Sequence, residues 1–315
     1  MAGAAFLVVP QWQGSGSSRA MRLIDGAEAI RGDLPFAATT VVPVPSSAGD
    51  SLGTGVHRFS SLVSIREAVT TELMLLEAPV VTIGGDCAAD LASVQHAVAS
   101  REAGTVALVW FDAHGDLNSA ESSPSGAFHG MVLRALLGDG PEPLASTGSA
   151  LLSADKVVLA GTRALDDGES DFIEASGIRM LGTDALADPD ALVAAVEATG
   201  ASAVYLHIDL DVLDPATVNG IGYPEPFGVQ PEHLADAIRA LRSRFELLGA
   251  GITEFAPESP DAAGADLPVI LRILGALTRP LAGPTATPPA AEGGSSTIGT
   301  ARHLSTDPRP AGDPL

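Results

Sequence analysis

Eight apolar runs of strand length recur along this chain of 315 residues, and most are separated by amphipathic stretches of helix length. Several runs, such as Thr105–Phe111 and Ala203–Ile208, are almost continuously apolar rather than alternating, which is typical of parallel strands covered on both faces. Strands that alternate with helices predict an α/β fold built on a parallel sheet. The pattern alone fits both an open doubly wound sheet and a closed barrel.

The predicted elements and domains can be placed along the chain. The predicted strands are Ala4–Val9, Phe36–Val44, Pro79–Ile83, Thr105–Phe111, Lys156–Ala160, Ile178–Leu181, Ala203–Ile208 and Leu248–Thr253. The predicted helices are Ser60–Leu76, Ala88–Ala99, His129–Leu137, Pro189–Ala198, Pro231–Phe245 and Leu267–Thr278. Residues 281–315 are rich in Pro, Gly, Ala, Ser and Thr and have little periodic apolar content. We therefore expect one folded domain over residues 1–280 and a disordered tail over 281–315.

Charge and composition exclude several classes of function. The formal net charge is −22, and such a surface repels nucleic acid, whose affinity for proteins comes largely from Lys and Arg. A single cysteine, Cys87, rules out an intramolecular disulfide. No apolar run reaches the roughly 18–20 residues that span a membrane. We expect a cytoplasmic protein with neither a nucleic-acid partner nor a membrane anchor.

Three side chains with metal-ligand chemistry follow the predicted strand Thr105–Phe111. Asp112, His114 and Asp116 lie two residues apart, so an extended backbone places all three on one side. Carboxylates gathered at a buried strand end repel one another and are poorly solvated. A divalent cation would resolve this repulsion, whereas the alternative is a capping turn in which these side chains bond backbone N–H groups.

A second segment of the same design ends the predicted strand Ala203–Ile208. Asp209 and Asp211 again share one side of a strand end, and Asp214 precedes a proline, which favours a turn. His207 is interpreted as a buried structural histidine. Sites in parallel α/β sheets form at the carboxyl ends of strands, so two such segments in one chain favour a two-metal site.

A third segment, Ile83-Gly-Gly-Asp-Cys87, makes a tight turn into a predicted helix. Together the three segments closely resemble the arginase (ureohydrolase) family, which carries Gly-Gly-Asp-His, Asp-Ala-His-x-Asp and Asp-x-Asp-x-x-Asp-Pro in this order. The resemblance covers roughly residues 4–280. It implies a catalytic domain that is a three-layer αβα sandwich around an eight-stranded parallel sheet and holds two Mn²⁺ ions. The implied metal ligands are Cys87, Asp112, His114, Asp116, Asp209 and Asp211, with Asp112 and Asp209 bridging the ions.

The chain departs from the family at position 87, where histidine is usual. Sulfur favours softer ions than Mn²⁺, so Zn²⁺, Co²⁺ or Fe²⁺ are alternatives at this ion. Some ureohydrolase relatives, including the Nω-hydroxyarginine hydrolase type, carry cysteine at this position and are active. Cys87 is therefore compatible with hydrolysis.

The resemblance also implies catalytic and substrate-binding residues. Asp116 would orient the attacking water, His129 would shuttle a proton, and Glu254 would bind the substrate guanidinium. Further substrate contacts are implied by the matches to the arginase positions that bind the amino-acid end: Asn118, Ser125, Asp166 and Glu169. Ala127 and Ala164 depart from the arginase pattern there, and Tyr223 stands where arginases usually have threonine near the guanidinium.

The implied reaction is cleavage of a small cationic guanidino substrate, first of all L-arginine, into L-ornithine and urea. A modified guanidino or ureido substrate such as Nω-hydroxy-L-arginine is the alternative that Cys87 and Tyr223 allow. A catalytically silent paralogue is a third interpretation. Cys87 favours it, whereas the remaining ligands, Glu254 and His129 argue against it. Family members are often trimers or hexamers, so a homo-oligomer is expected by resemblance alone.

Overall fold

All eight predicted strands form, and every pairing between them is parallel. The computed structural model describes residues 4–76 and 79–281. The strands are β1 (Ala5–Val9), β2 (Thr39–Val41), β3 (Val80–Gly84), β4 (Val106–Phe111), β5 (Val157–Ala160), β6 (Arg179–Leu181), β7 (Ala203–Asp209) and β8 (Glu246–Thr253). The parallel sheet predicted from the apolar runs is confirmed.

The strands make one open sheet in the order β2-β1-β3-β8-β7-β4-β5-β6. β2 and β6 lie at its two edges, so the sheet does not close into a barrel. This order settles the choice that the strand pattern left open. Edge strand β2 is shorter than the predicted run Phe36–Val44, because Phe36–Ala38 forms a 3-10 turn and Pro43 cannot donate a ladder hydrogen bond.

Eight helices connect and cover the strands within the described residues. They are α1 (Arg22–Arg31), α2 (Phe59–Leu73), α3 (Leu91–Ala99), α4 (Val132–Leu136), α5 (Asp167–Ser176), α6 (Pro189–Glu197), α7 (Pro231–Arg244) and α8 (Pro260–Thr278). The six predicted helices correspond to α2, α3, α4, α6, α7 and α8, while α1 and α5 were not predicted. Helix α8 begins at Pro260 rather than Leu267, because the Ser259 hydroxyl accepts a hydrogen bond from Ala262 N and caps it there.

The sheet is the middle of three layers. Along β4, Ala107, Val109 and Phe111 belong to a core that also contains residues of α1, α6, α7 and α8. The alternate residues of β4 pack into a second core with residues of α3 and α4. Because both faces of the sheet are covered, its strands are apolar on both sides, and the αβα sandwich implied by the resemblance is confirmed.

The carboxyl ends of five neighbouring strands, β3, β8, β7, β4 and β5, carry the residues singled out in the sequence. Neighbouring parallel strands end at the same edge of a sheet, so residues distant in sequence meet there.

No helix among the described residues is long and apolar enough to cross a membrane. The predicted disordered tail, 281–315, lies outside the described residues apart from Leu281.

Candidate active site

The end of β4 supplies three ligand-type side chains, as its spacing predicted. Asp112 is fully buried and accepts hydrogen bonds from Trp110 Nε1 at 2.9 Å and from the His114 backbone N–H at 2.6 Å. His114 Nδ1 lies 3.0 Å from Asp211 Oδ2 and 3.4 Å from Asp112 Oδ1. The imidazole of His114 therefore faces carboxylates from two different strands.

The end of β7 brings Asp209 and Asp211 to the same place. Asp209 Oδ1 accepts the Asp211 backbone N–H at 2.7 Å, and Asp209 Oδ2 lies 3.0 Å from Cys87 Sγ. Asp211 Oδ1 accepts the Ala113 N–H at 3.0 Å, which ties the ends of β7 and β4 together. Asp214 is not part of this cluster, because its oxygens accept the Ala216 and Gly228 N–H groups in a turn.

Three overlapping groups of ligand atoms form where these strand ends meet. In each group the ligand atoms lie within 4.8 Å of one another. The groups are Asp112, His114 and Asp211; Cys87, Asp209 and Glu254; and Cys87, Asp112, Asp116 and His207. All six predicted metal ligands are therefore brought together.

Three buried side-chain atoms of this cluster have no hydrogen-bond partner in the described part of the chain, and they indicate whether the cluster suits a metal. Asp116 Oδ2, Glu254 Oε2 and His207 Nε2 are buried and have no hydrogen-bond partner among the described residues. Buried polar atoms are rarely left unpaired, since each costs about 1–3 kcal/mol. Oxygen and imidazole donors are also the ligands that divalent ions such as Mn²⁺ prefer. The residues present thus fit divalent cations.

The electrostatics of the cluster point the same way. Burial, reinforced by neighbouring carboxylates, raises the pKa of Asp112 and raises those of Asp116 and Asp209 well above their ordinary value. Burial opposes protonation of His114, but its hydrogen bonds to Asp112 and Asp211 outweigh burial and raise its pKa. The protein therefore holds protons on these groups, and a bound cation would displace those protons.

Cys87 lies at the centre of the cluster, where its backbone N–H donates to Glu254 Oε1 at 3.3 Å. Burial, followed by the charges of Asp209 and Asp116, raises the pKa of the thiol well above its ordinary value. The thiol stays protonated until a cation offsets those charges.

Two residues of the cluster adopt left-handed backbone conformations. Asp116 has a φ of 51° and Glu254 a φ of 64°. Non-glycine residues in this region cost about 1–3 kcal/mol when they are held there, and such residues concentrate at functional sites. The fold accepts this cost at two of the three residues predicted to be catalytic.

His129, the third, lies beside Glu254, with its Nδ1 3.6 Å from Glu254 Oε1. Burial lowers the pKa of His129, but the adjacent Glu254 carboxylate outweighs burial and raises it. The Tyr223 ring centroid lies 5.0 Å from that of His129. Tyr223 and Glu254 line a cavity of about 280 Å³ that opens beside the ligand cluster.

Asp86 holds in place the segment around Gly14 that bonds the His129 backbone. Its oxygens accept hydrogen bonds from Gln11 Nε2 at 2.9 Å and from the Gly14 N–H at 2.8 Å, and the Gly14 carbonyl accepts the His129 N–H at 3.0 Å. Burial, followed by the charge of Glu254, raises the pKa of Asp86 to about 6.

The four residues predicted to contact the amino-acid end of the substrate are placed differently from one another. Asn118 Nδ2 donates to Asp166 Oδ2 at 2.8 Å. Glu169 is buried, and its two oxygens accept the Leu117 and Asp166 N–H groups. Ser125 is exposed beside Gly16, where a side chain would also meet the Tyr223 hydroxyl. Ser125 is thus exposed, whereas Asn118, Asp166 and Glu169 are joined to one another by hydrogen bonds.

The sequence analysis did not predict two supports of this site. Arg163 donates from Nη2 to the carbonyl oxygens of Asp211 and Glu225, both at 2.8 Å, and so fixes the loop after β7. Asp90 bonds His207, which is buried as predicted but also reaches the ligand cluster. Neither partner set follows from local spacing, because each depends on contacts between distant strand ends.

Comparisons with known proteins find related sequences and a shared fold. The Arginase family model matches residues 25–270. An arginase of Staphylococcus aureus (strain MRSA252) is 31% identical over 202 residues, which cover 61% of this chain and 64% of that relative, a little under two thirds of its length. An N(omega)-hydroxy-L-arginine amidinohydrolase of Streptomyces lavendulae is 28% identical over 263 residues, covering 82% of this chain and 89% of that relative. The solved structure of Entamoeba histolytica arginase in complex with L-ornithine has the same fold, with a TM-score of 0.74, 22% identity, and coverage of 87% of this chain and 97% of that one.

Proposed function

This chain belongs to the arginase family, and we propose that it is a metal-dependent ureohydrolase that cleaves L-arginine to L-ornithine and urea. The observation that carries the proposal is the meeting of six ligand side chains from three strand ends directly beside Glu254 and His129. Water adds to the guanidino carbon, the bond from that carbon to the side-chain nitrogen breaks, and urea and an amine leave.

Two Mn²⁺ ions are the proposed cofactors, with Cys87 allowing Zn²⁺, Co²⁺ or Fe²⁺ at one position. His114 and Asp211 would hold one ion, and Cys87 and Asp116 the other, with Asp112 and Asp209 shared. When bound, a pair of divalent ions lowers the pKa of water and stabilises developing negative charge.

The side chains around the cluster have distinct proposed roles. The Glu254 carboxylate binds the planar, cationic guanidinium, a geometry that favours paired charge-assisted hydrogen bonds. Asp116, with its unpartnered Oδ2, orients the attacking water and accepts its proton. His129 then delivers a proton to the departing amine, a role suited to a histidine beside a carboxylate.

Asn118, Ser125, Asp166 and Glu169 are proposed to shape the end of the site that receives the amino acid. Ser125 contacts the substrate from the exposed side, and Asp166 and Glu169 act mainly by holding Asn118 and its loop in place. A substrate without a carboxylate, such as agmatine, would not make all of these contacts.

Nω-hydroxy-L-arginine is the second candidate substrate. The amidinohydrolase of Streptomyces lavendulae that carries this substrate in its name matches more of this chain than the Staphylococcus aureus arginase does. Tyr223 beside His129 adds a hydroxyl to the cavity that could contact the extra oxygen.

The location, partners and assembly of the enzyme follow from the same proposal. We infer a cytoplasmic protein whose acidic surface, with a net charge of −22, attracts a cationic substrate and does not bind nucleic acid. A homo-oligomer, trimeric or hexameric, is expected from the family alone.

Urea release from Mn²⁺-loaded protein tests the function. We expect turnover of L-arginine, with slower or no turnover of agmatine and guanidinobutyrate. Glu254→Gln should lower kcat/KM by about 10²–10³-fold, because the preorganised charge is lost while the size is kept. Faster turnover of Nω-hydroxy-L-arginine would move the assignment to the second candidate. Nω-hydroxy-L-arginine would release N-hydroxyurea in place of urea, so L-ornithine is measured alongside both products. Two bound ions with neither urea nor N-hydroxyurea from any of these substrates would contradict both candidates.

A further inference from the structure

His207 has a free nitrogen where a structural histidine would have none. The side chain is fully buried on β7, and its Nδ1 lies 2.9 Å from Asp90 Oδ2. Its Nε2 has no hydrogen-bond partner among the described residues. The contact with Asp90 accounts for only one of the two ring nitrogens.

The free nitrogen faces the ligand cluster. A ring nitrogen of His207 lies within 4.8 Å of ligand atoms of Cys87, Asp112 and Asp116. Since Nδ1 is engaged by Asp90, Nε2 is the nitrogen available to this group. The same group contains Asp116, whose Oδ2 is another unpartnered atom, so two buried side chains with unpartnered atoms meet in one place.

The ring orientation is fixed from the side. Trp110 stacks on His207 with ring centroids 3.5 Å apart and planes 13° apart. The same indole donates from Nε1 to Asp112 Oδ2 at 2.9 Å. Trp110 therefore sets the imidazole and the Asp112 carboxylate relative to each other.

Asp90 is fixed from behind. The Tyr205 hydroxyl donates to Asp90 Oδ1 at 2.5 Å, and Asp90 packs against the Cα of Gly251 on β8, where an added Cβ would lie 2.1 Å from Asp90 Oδ2. A carboxylate that accepts the Nδ1 proton of a histidine leaves the lone pair on Nε2, which is the usual arrangement behind a metal-bound imidazole.

We propose that His207 Nε2 is the nitrogen ligand of the ion that Asp112 and Asp116 hold, and that Asp90 is the residue that positions it. The inference rests on the proposed metal-dependent function. The family usually has a histidine ligand at position 87, where this chain has cysteine. His207 would supply an imidazole to the same ion from β7 instead. The neutral ring also limits the negative charge around an ion that already faces several carboxylates.

Metal content separates this proposal from a purely structural pairing. Full-length protein is loaded with Mn²⁺ and dialysed, and bound metal and its dissociation constants are measured by elemental analysis and calorimetry. We expect two ions per wild-type chain. His207→Phe keeps a ring against Trp110 but removes the nitrogen, and we expect one ion to be lost or bound at least about 100-fold more weakly.

Two further variants guard against misfolding as the cause. Asp90→Asn keeps the His207 ring and its stacking, and we expect a loss of about 10–100-fold in affinity for the same ion. Gln95→Leu is the matched control, since it removes buried hydrogen bonds to Leu144 and Ser146 that involve neither His207, Asp90 nor a ligand, and it should keep two ions at near wild-type affinity. In Co²⁺-loaded protein the visible d–d absorption should change in His207→Phe and not in Gln95→Leu.

The outcomes are distinct. Two ions at wild-type affinity and an unaltered cobalt spectrum in His207→Phe would overturn the assignment of His207 and leave the proposed enzyme intact. Loss of one ion in Gln95→Leu as well would also overturn it, because the effect would then come from general damage to the core. A wild-type chain that binds no divalent ion would instead overturn the proposed function.

Discussion

Asp112 is the residue on which most of the cluster depends. It belongs to two of the three groups of converging ligand atoms, and it contacts both Trp110 and His114. In the proposed two-metal site this carboxylate is shared, and a shared group would contribute to the affinity of each ion.

Replacing Asp112 by Asn should therefore remove both ions and abolish measurable urea release. Asp214→Asn is the matched control, because Asp214 lies close in sequence to Asp211 but only caps a turn through the Ala216 and Gly228 N–H groups. Metal analysis of the two variants side by side checks this prediction. Retention of two ions by Asp112→Asn would contradict the shared position of this carboxylate.

Individual residues show which parts of the site could be predicted from the sequence. The spacing of Asp112, His114 and Asp116 after an apolar strand predicted their convergence, because alternation along an extended chain is a local property. The partnership of His207 with Asp90 was not predicted, since it requires knowing that β7 lies beside β8 and that Gly251 leaves room for the carboxylate. The chemical roles of the predicted site residues stay predictions.

At the scale of elements, β8 illustrates how a strand makes room for buried polar groups. An added Cβ at Gly249 would lie 2.8 Å from Tyr205 Cε2, and one at Gly251 would lie 2.1 Å from Asp90 Oδ2. Both glycines therefore admit side chains that support His207. Glycine inside a strand commonly marks such a close approach.

Gly251→Ala should lower the free energy of unfolding by about 1–3 kcal/mol, because the new methyl group displaces a packed carboxylate. Gly264→Ala offers the matched control, since it lies in α8 with no atom within 4 Å of the added Cβ. That variant should stabilise the protein by about 0.5–1 kcal/mol through helix propensity. Denaturant titration of the metal-free proteins measures both, and equal stabilities would contradict the account of β8.

The helices show why some elements were not predicted. The inner strands β3, β4, β5 and β7 are mostly apolar and buried along their whole length, so they stand out from the sequence. Helix α5 (Asp167–Ser176) contains Gly168 and mostly polar residues, and the only buried residue along it is Glu169. Helix α1 (Arg22–Arg31) contains Gly26, whose position is dictated by close packing against the Phe255 carbonyl. Tertiary contacts thus select these two helices against weak local preference.

Across the whole molecule, the acidic centre couples stability to pH and to metal. The pKa values of Asp112, Asp116 and Asp209 are raised in the folded chain by burial and by one another, and that of Asp86 is raised to about 6. A carboxyl group with a raised folded pKa stabilises the fold below its ordinary pKa and loses that contribution as the pH rises through the folded value. His114 and His129, whose pKa values are also raised, act in the same direction.

The metal-free protein should therefore lose stability as the pH rises from about 5 to about 8. Mn²⁺ favours the charged carboxylates, so the increase in Tm on adding Mn²⁺ should grow over the same range. At a free Mn²⁺ concentration of about 100 times Kd, one site adds about 2.7 kcal/mol. Thermal melts with and without Mn²⁺ measure this, and an increase that shrinks with rising pH would contradict the electrostatic account of the centre.

The position of β8 bears on how the protein is made. Glu246–Thr253 is the last of the described strands to leave the ribosome, yet it lies in the middle of the sheet, between β3 and β7. Until it emerges, the nascent chain can form only two partial sheets, each with an unpaired edge open to mispairing. Cys87 and Asp209, which meet at 3.0 Å in the finished protein, follow strands on opposite sides of that gap. Every cluster residue up to Asp211 is thus synthesised before the centre can exist, and uptake of the proposed metal ions would follow translation of β8.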